Sequence, residues 1–188
     1  MEVRELIQAG LENIKRGTDR TLDGLNSAEL KWQPKADANS IGLILLHMAR
    51  YEDSTVQSLL QGKPQVWESG NWYKKMNKAI NETGSHYTAE QVAAFVVPDV
   101  KDWQGYAEAV RQRTLEYLKN ITPAQLDKKV DLPPMRLPPR VAPGGPNPPR
   151  RPPFEPIVGT MLLMMIIHLA HHVGEISYLR GLQRGMDG

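Results

Sequence analysis

The chain has 188 residues, a formal net charge of +2 and no cysteine. This length favours a single domain over residues 1–188 with a sizeable core, and so small a net charge gives no reason to expect nucleic acid as a partner. The lack of cysteine excludes disulfides, thiolate zinc sites and cysteine nucleophiles, and it fits the reducing cytoplasm in which we expect the protein.

Two further features argue against a membrane location. The first ten residues are amphipathic and contain acids, unlike a signal peptide. The longest apolar run, residues 157–167, is too short to span a bilayer and fits a buried helix. No membrane partner is therefore expected.

Apolar residues recur at spacings of three and four along most of the chain, which is typical of amphipathic helices. The pattern predicts an all-α fold with long helices at residues 3–25, 39–61, 99–119 and 156–182. The apolar stripe of the first helix begins with Val3 and Leu6. Thr88 and Gln91 form a capping-box pattern that predicts a short helix at 89–96. The polar connection at 63–87 carries several aromatic residues and is predicted to be partly ordered.

Residues 131–156 contain eleven of the fifteen prolines, so neither a helix nor a central strand is expected there. Two interpretations remain: a surface loop without fixed structure, or an extended arm that packs on a partner subunit or over a pocket. The segment is basic, with Arg136, Arg140, Arg150 and Arg151. No aromatic residues alternate with these arginines, which argues against nucleic acid binding.

Three histidines fall within five positions near the carboxyl end of the chain. His168 and His172 are four residues apart, so a helix places both side chains on one face, one turn apart. Apolar residues continue that face in both directions, which predicts that the rings point into the core. A buried imidazole needs a partner, and a shared metal ion is the simplest one for two rings. The alternative is a pair of ordinary histidines, either satisfied within the core or lying near a helix end.

A third inward histidine, His47, makes a three-nitrogen metal site possible, although a lone histidine at such a position is usually a satisfied core residue. His47 lies in the middle of the inward face of the second long helix. His171 lies about 60° to one side of His168 and is predicted to flank the site without binding metal. His86 stands among small polar residues and is predicted to be solvated.

Several stretches resemble the DinB-like, or YfiT-like, superfamily of helical metalloproteins. They are LKWQP at 30–34, NSIG at 39–42, HMARYE at 47–52 and HLAHHVGEISYLRG at 168–181. The similarity covers most of the chain and fails over the proline-rich segment, which looks like a long insertion before the last helix. The resemblance implies a four-helix bundle, a divalent metal ion bound by His47, His168 and His172, and a homodimer. Known members include transferases and isomerases that use bacillithiol, mycothiol or related thiols, and many members have no known activity.

Three imidazole ligands leave a divalent ion open to water or substrate. A metal-bound water reaches a pKa of about 7 and a metal-bound thiol ionises, so a nucleophile arises without any cysteine in the protein. Nitrogen ligands alone suit zinc, nickel, copper or iron and do not choose among them.

Three further residues near the histidines have two interpretations each. Glu175 either orients a ligand histidine or forms an ordinary salt bridge with Arg180 or another base. Tyr51 either donates a hydrogen bond to a metal-bound group or simply packs. Arg50 either binds an anionic substrate or forms a surface salt bridge.

The sequence leaves three classes of function open. The first is a metal-dependent enzyme, either a thiol-dependent transferase acting on a small molecule or a hydrolase. The second is a non-catalytic bundle in which the metal or the histidine cluster is structural or stress-related. The third is an interaction module that acts through the proline-rich segment.

Overall fold

A computed structural model of the chain describes residues 2–132 and 154–185. Within this part the helices are α1 (Val3–Leu22), α2 (Ser27–Lys31), α3 (Ile41–Asp53), α4 (Val66–Ser69), α5 (Trp72–Lys75), α6 (Ala89–Ala93), α7 (Val100–Lys119), α8 (Pro123–Leu126) and α9 (Val158–Arg184), and a π-helical segment at Ser54–Leu59 continues α3. No strand occurs there, and one isolated antiparallel bridge joins Lys129 to Ile157. The predicted all-α fold is confirmed, whereas most of the predicted proline-rich insertion, residues 133–153, lies outside the described residues.

The four long helices α1, α3, α7 and α9 form the bundle. Helix α9 packs along α1 and against α3, and α3 also packs against α7. The core between them consists of large apolar side chains that are almost completely buried, among them Leu11, Leu46, Tyr106, Val110, Leu162, Met165 and Leu169. Burial of this apolar surface supplies most of the favourable free energy of folding.

The long helices follow the predicted stripes, with differences at their ends. Helix α1 ends at Leu22 instead of residue 25, because Gly24 adopts a left-handed conformation (φ +69°) that closes the helix. Val3 and Leu6 were predicted to face the core, but both are exposed, since no described residue covers the outer side of the first turns of α1. The predicted helix at 39–61 is α-helical only as far as Asp53.

Side-chain caps fix where the short helices begin. Asn26 accepts from the backbone N–H groups of Ala28 and Glu29 and starts α2. Thr88 and Gln91 form the predicted capping box at the start of α6, which is shorter than predicted. Thr122 and Gln125 repeat the arrangement at α8. Each box satisfies amide groups that the helix itself leaves without partners.

Asp53, at the end of α3, anchors the connection that follows it. Its carboxylate is fully buried and accepts hydrogen bonds from the backbone N–H groups of Val66 and Trp67, each at 2.9 Å, and from the hydroxyl of Tyr106 at 2.8 Å. Burial raises the pKa of this carboxyl, and the three donors act in the opposite direction. The first turn of α4 is thereby held against α3 and α7.

Arg50 has neither of the roles predicted for it. Its side chain is buried, its Nε donates to the backbone carbonyl of Glu82 at 2.8 Å, and its Nη1 donates to Oε1 of Gln65 at 2.6 Å. Its guanidinium also lies over the Trp67 ring, 4.6 Å from the ring centroid. Arg50 therefore fixes both ends of the connection at 63–87, and it is neither a surface salt bridge nor an accessible anion site.

Among the described helices, α9 alone is long and apolar enough, by length and composition, to cross a membrane. Apolar residues of α9 also form part of the bundle core, because Leu162, Met165 and Leu169 are buried against neighbouring helices.

Candidate metal centre

Three imidazole rings meet where α3 packs against α9. Nε2 of His168 lies 2.8 Å from Nε2 of His47 and 3.1 Å from Nε2 of His172. One ring nitrogen from each residue lies within 4.8 Å of the other two, and all three side chains are partly buried. Within the described residues, no further histidine or carboxylate joins this group of potential ligands.

The helices determine this convergence. His168 and His172 are one turn apart on the same face of α9, as their spacing predicts. His47 projects from the middle of α3, where its neighbours Leu46 and Met48 are buried and hold the helix against the bundle. The rings are therefore carried by rigid elements.

A loop residue fixes the outer nitrogen of His47. The Oγ atom of Ser85 lies 2.7 Å from Nδ1 of His47. The loop comes this close because Gly84 has a positive φ of +70° and no side chain, and a Cβ atom there would stand 2.9 Å from Cα of His47. A hydrogen bond on Nδ1 leaves Nε2 directed at the other two rings.

Glu175 fixes His172 in a similar way. Its Oε2 lies 2.7 Å from Nδ1 of His172, one turn back along α9. A carboxylate only accepts hydrogen bonds, so this contact places a proton on Nδ1 and leaves Nε2 of the neutral ring as a lone pair. The residue thus has the geometry needed to orient a ligand histidine.

Tyr51 lies one turn beyond His47 and stacks on His168. The two ring centroids are 3.9 Å apart and the planes are inclined by 29°. Burial raises the pKa of the Tyr51 hydroxyl, so it stays protonated at neutral pH. Packing against the imidazole is the role that the structure shows for this side chain.

The two remaining histidines do not join the cluster. His171 is exposed on the outer side of α9. His86 is also exposed and has a positive φ of 58°, which turns the chain just after Ser85.

Burial and proximity keep two of the clustered rings neutral. Burial, followed by the neighbouring His172 and His168, lowers the pKa of His47 to about 4. Burial likewise lowers the pKa of His168 to about 4, with His172 as the next cause. Neutral imidazoles are the form that binds metal.

The arrangement fits a metal ion better than it fits hydrogen bonding alone. A single proton on Nε2 of His168 can be donated to His47 or to His172, so one of the two short contacts of this nitrogen lacks a hydrogen bond of its own. A cation between the three Nε2 atoms would instead be bound by the lone pairs of all three rings. Three nitrogens bound tetrahedrally to zinc at about 2.0–2.1 Å lie about 3.3 Å apart, so small movements of the rings would suffice.

The sequence predicts no contact for Ser85. The relevant signal was the run of small residues around it, Thr83-Gly84-Ser85, which allows a loop to approach a helix closely. Nothing in its spacing from His47 indicated the contact, because the two residues are 38 positions apart.

Comparison with known protein families matches residues 11–176 to the DinB superfamily. The chain also resembles a solved structure described as the conserved protein of locus from Enterococcus faecalis, with a TM-score of 0.75, 25% sequence identity and coverage of 97% of both chains. No curated protein matches the chain. The family match spans most of the sequence and includes all three clustered histidines, and the chain therefore belongs to the DinB superfamily.

Proposed function

We propose that the protein is a metal-dependent enzyme that acts on a small molecule, either as a thiol-dependent transferase or as a hydrolase. The observation that supports this most directly is the convergence of three Nε2 atoms, on His47, His168 and His172. These residues would hold a divalent ion, for which zinc, nickel and iron are the candidates. The bound ion would act as a Lewis acid that lowers the pKa of a bound water or thiol.

The residues around the rings would prepare them for this task. Ser85 and Glu175 hold the outer nitrogens of two rings, so the nitrogens that face the ion are fixed in advance. Tyr51 covers one face of the third ring, that of His168. With only three side chains in the cluster, the remaining coordination positions would be left to water and substrate.

A non-catalytic metal-binding bundle is the second candidate. One observation favours it: Glu175 is the only carboxylate that hydrogen-bonds to the three rings within the described residues, and its contact with His172 already occupies it. A carboxylate base assists hydrolysis by taking up the proton of the attacking water, whereas a thiol that ionises on the metal needs no such base. Among the enzymatic alternatives, this favours the thiol-dependent transferase.

The proposal includes a cytoplasmic location and a homodimer. A chain without cysteine is suited to a reducing compartment, and reduced low-molecular-weight thiols are abundant there. The homodimer is the assembly that the family resemblance implies.

Elemental analysis of untagged protein, purified without chelator, tests the metal site. We expect about one divalent ion per chain. His168→Ala should remove the ion with little change in helix content, and His171→Ala is the matched control because its ring is exposed outside the cluster. Loss of the ion from the His171 variant with retention in the His168 variant would refute the ligand assignment.

Activity assays then separate the two candidates. The metal-loaded protein is incubated with low-molecular-weight thiols and electrophilic acceptors, and separately with simple esters and amides. An activity present in the His171→Ala variant and absent from the His168→Ala variant supports the enzyme. Full metal occupancy without turnover in either series supports the non-catalytic bundle.

A further inference from the structure

An open cavity lies between the long helices of the bundle, away from the histidines. Its volume is about 240 Å³, and residues from all four long helices line it. Its walls are apolar and almost completely buried, formed by Ile14, Met48, Ala49, Trp103 and Leu169. A cavity of this size and lining is suited to a small molecule with an apolar body.

The cavity is separate from the candidate metal centre. None of the three clustered histidines lines it. Met48 directly follows His47 on α3, and Leu169 directly follows His168 on α9. Successive side chains on a helix point about 100° apart. The cavity therefore lies on another side of α3 and α9.

Polar residues stand where the cavity opens between α1 and α7. Lys15 and Asp19 on α1 form an exposed ion pair, and Gln104 and Glu108 on α7 are also exposed. A ligand can therefore enter between these two helices.

Two buried charged residues at the wall are already satisfied. Nε and Nη2 of Arg111 donate to the two carboxylate oxygens of Glu52 at 2.9 and 2.8 Å, and its Nη1 donates to the carbonyl of Leu11 at 2.8 Å. The charges that line the cavity are the carboxylates of Asp19, Glu52 and Glu108 against the cations of Lys15 and Arg111. This excess of negative charge disfavours an anionic ligand.

Thr18 is the polar group on the wall that lacks a partner. The residue is 5% exposed, it lines the cavity, and its hydroxyl makes no hydrogen bond within the described structure. Thr21, on the same helix, instead donates to the carbonyl of Gly17 at 2.9 Å. A buried hydroxyl without a partner is costly. The Thr18 oxygen is itself closed off from the cavity, and exchange between the two χ1 rotamers open to a helical threonine would turn it toward the cavity in place of the methyl group.

We infer that this cavity binds a small neutral alcohol or phenol, whose hydroxyl pairs with that of Thr18 while its apolar part fills the space beside Trp103 and Leu169. The apolar walls select an aliphatic or aromatic body, the charges exclude an anion, and the unpaired hydroxyl selects a ligand that can donate or accept one hydrogen bond. An apolar cavity of about 150 Å³ already suffices for benzene in another protein, so a single ring fits within the available volume.

Calorimetric titration with phenol and with toluene tests the inference. We expect saturable binding of both, and Thr18→Val should weaken phenol about fivefold while changing toluene by less than about twofold. Thr114→Val is the matched control, because Thr114 also has a buried hydroxyl without a partner but does not line the cavity. That variant should bind both compounds as the parent does.

A second variant tests the location. Ala107→Leu places a larger side chain at the cavity wall and should weaken both compounds at least about tenfold, with helix content checked by circular dichroism. None of the three clustered histidines lines the cavity, so these measurements do not depend on the metal proposal. Absence of saturable phenol binding, equal weakening of phenol and toluene by Thr18→Val, or phenol binding unaffected in a folded Ala107→Leu variant would each overturn the inference.

Discussion

The hydroxyl of Ser85 lies 2.7 Å from Nδ1 of His47, which connects the loop after α5 to the middle of α3. The loop is itself held by the buried Arg50, which donates to the carbonyl of Glu82. The orientation of His47 therefore depends on a loop backbone that Arg50, one turn further along α3, keeps in place.

Ser85→Ala should weaken metal binding by roughly 10–100-fold, because the imidazole of His47 loses the partner that fixes its ring and tautomer. Competition with a chromophoric chelator measures the affinity. Ser69→Ala is the control, since its hydroxyl is exposed and bonds to the carbonyl of Gln65. Unchanged affinity in the Ser85 variant would mean that the α3 backbone alone orients the ring.

Asp53→Asn should lower the free energy of unfolding by about 3 kcal/mol, because the NH2 group that replaces one carboxylate oxygen cannot accept, so at least one of the three buried donors loses its acceptor. Urea denaturation followed by circular dichroism measures the change. Asp37→Asn removes an exposed carboxylate paired with Lys35 and should stay within about 0.5 kcal/mol of the parent. A similarly small effect at Asp53 would show that α4 is held without the carboxylate.

The ionised carboxylate of Glu29 should stabilise the fold at neutral pH and lose this contribution in acid. Hydrogen bonds from Arg184 at 2.6 and 2.9 Å, followed by one from the backbone N–H of Asn26, lower the pKa of Glu29 to about 2. The unfolded value is about 4.3. Because the folded pKa is the lower one, the contribution is complete above pH 4.3 and is lost as the pH falls through 2.

Glu29→Gln should therefore lower the Tm at pH 7, and the difference from the parent should shrink below about pH 4.3 and disappear below about pH 2. Melting curves across this range measure it. Glu116→Gln, which removes an exposed partner of Arg113, serves as the control at each pH. A difference for Glu29→Gln that persists undiminished below pH 2 would contradict the assignment to its ionised form.

The outer face of α9 is where we expect the proposed homodimer to form. Large apolar side chains are exposed there, namely Leu163, Ile167, Tyr178 and Leu182. Gly174 lies on the same face, and a Cβ atom there would meet nothing within 4 Å, so a second helix can approach closely. Burial of such a face against a second copy removes its apolar surface from water.

Gly174→Glu should convert the dimer into a monomer, because it places a charge in the close contact without disturbing its own chain. Multi-angle light scattering at micromolar concentration should show the molecular mass falling by half. Val96→Glu is the control, since Val96 is an exposed apolar residue away from α9. A parent protein that is already monomeric at this concentration would contradict the dimer.

Much of the fold follows from local patterns in the sequence. The apolar repeats of α7 and α9 are sufficient to place those helices, because a bundle buries one stripe of each. The pairing of His168 with His172 follows from helix geometry alone. His47 meets His168 and His172 only because α3 packs on α9. The family resemblance implies this packing, whereas the spacing of residues along the chain does not.

Other features depend on contacts between residues far apart in the chain. The sequence predicts that Arg50 binds an anionic substrate or forms a surface salt bridge. Its side chain is instead buried, and its acceptors come from the connection at 63–87. Ser85 reaches His47 only because Gly84 and His86 both have positive φ angles. Such conformations are set by the final packing of the loop, and side-chain periodicity carries no information about them.

The π-helical segment at Ser54–Leu59 also affects how this chain is to be aligned with its relatives. The amide of Leu60 donates to the carbonyl of Thr55, five residues back, so this turn contains one residue more than an α-helical turn. A relative with an uninterrupted α-helix here should align with a one-residue gap inside the segment, and not in the loop that follows. Placing the gap there keeps His47 and Tyr51 in register with that relative's own helix, and it also keeps the residues after Leu60 in structurally equivalent positions.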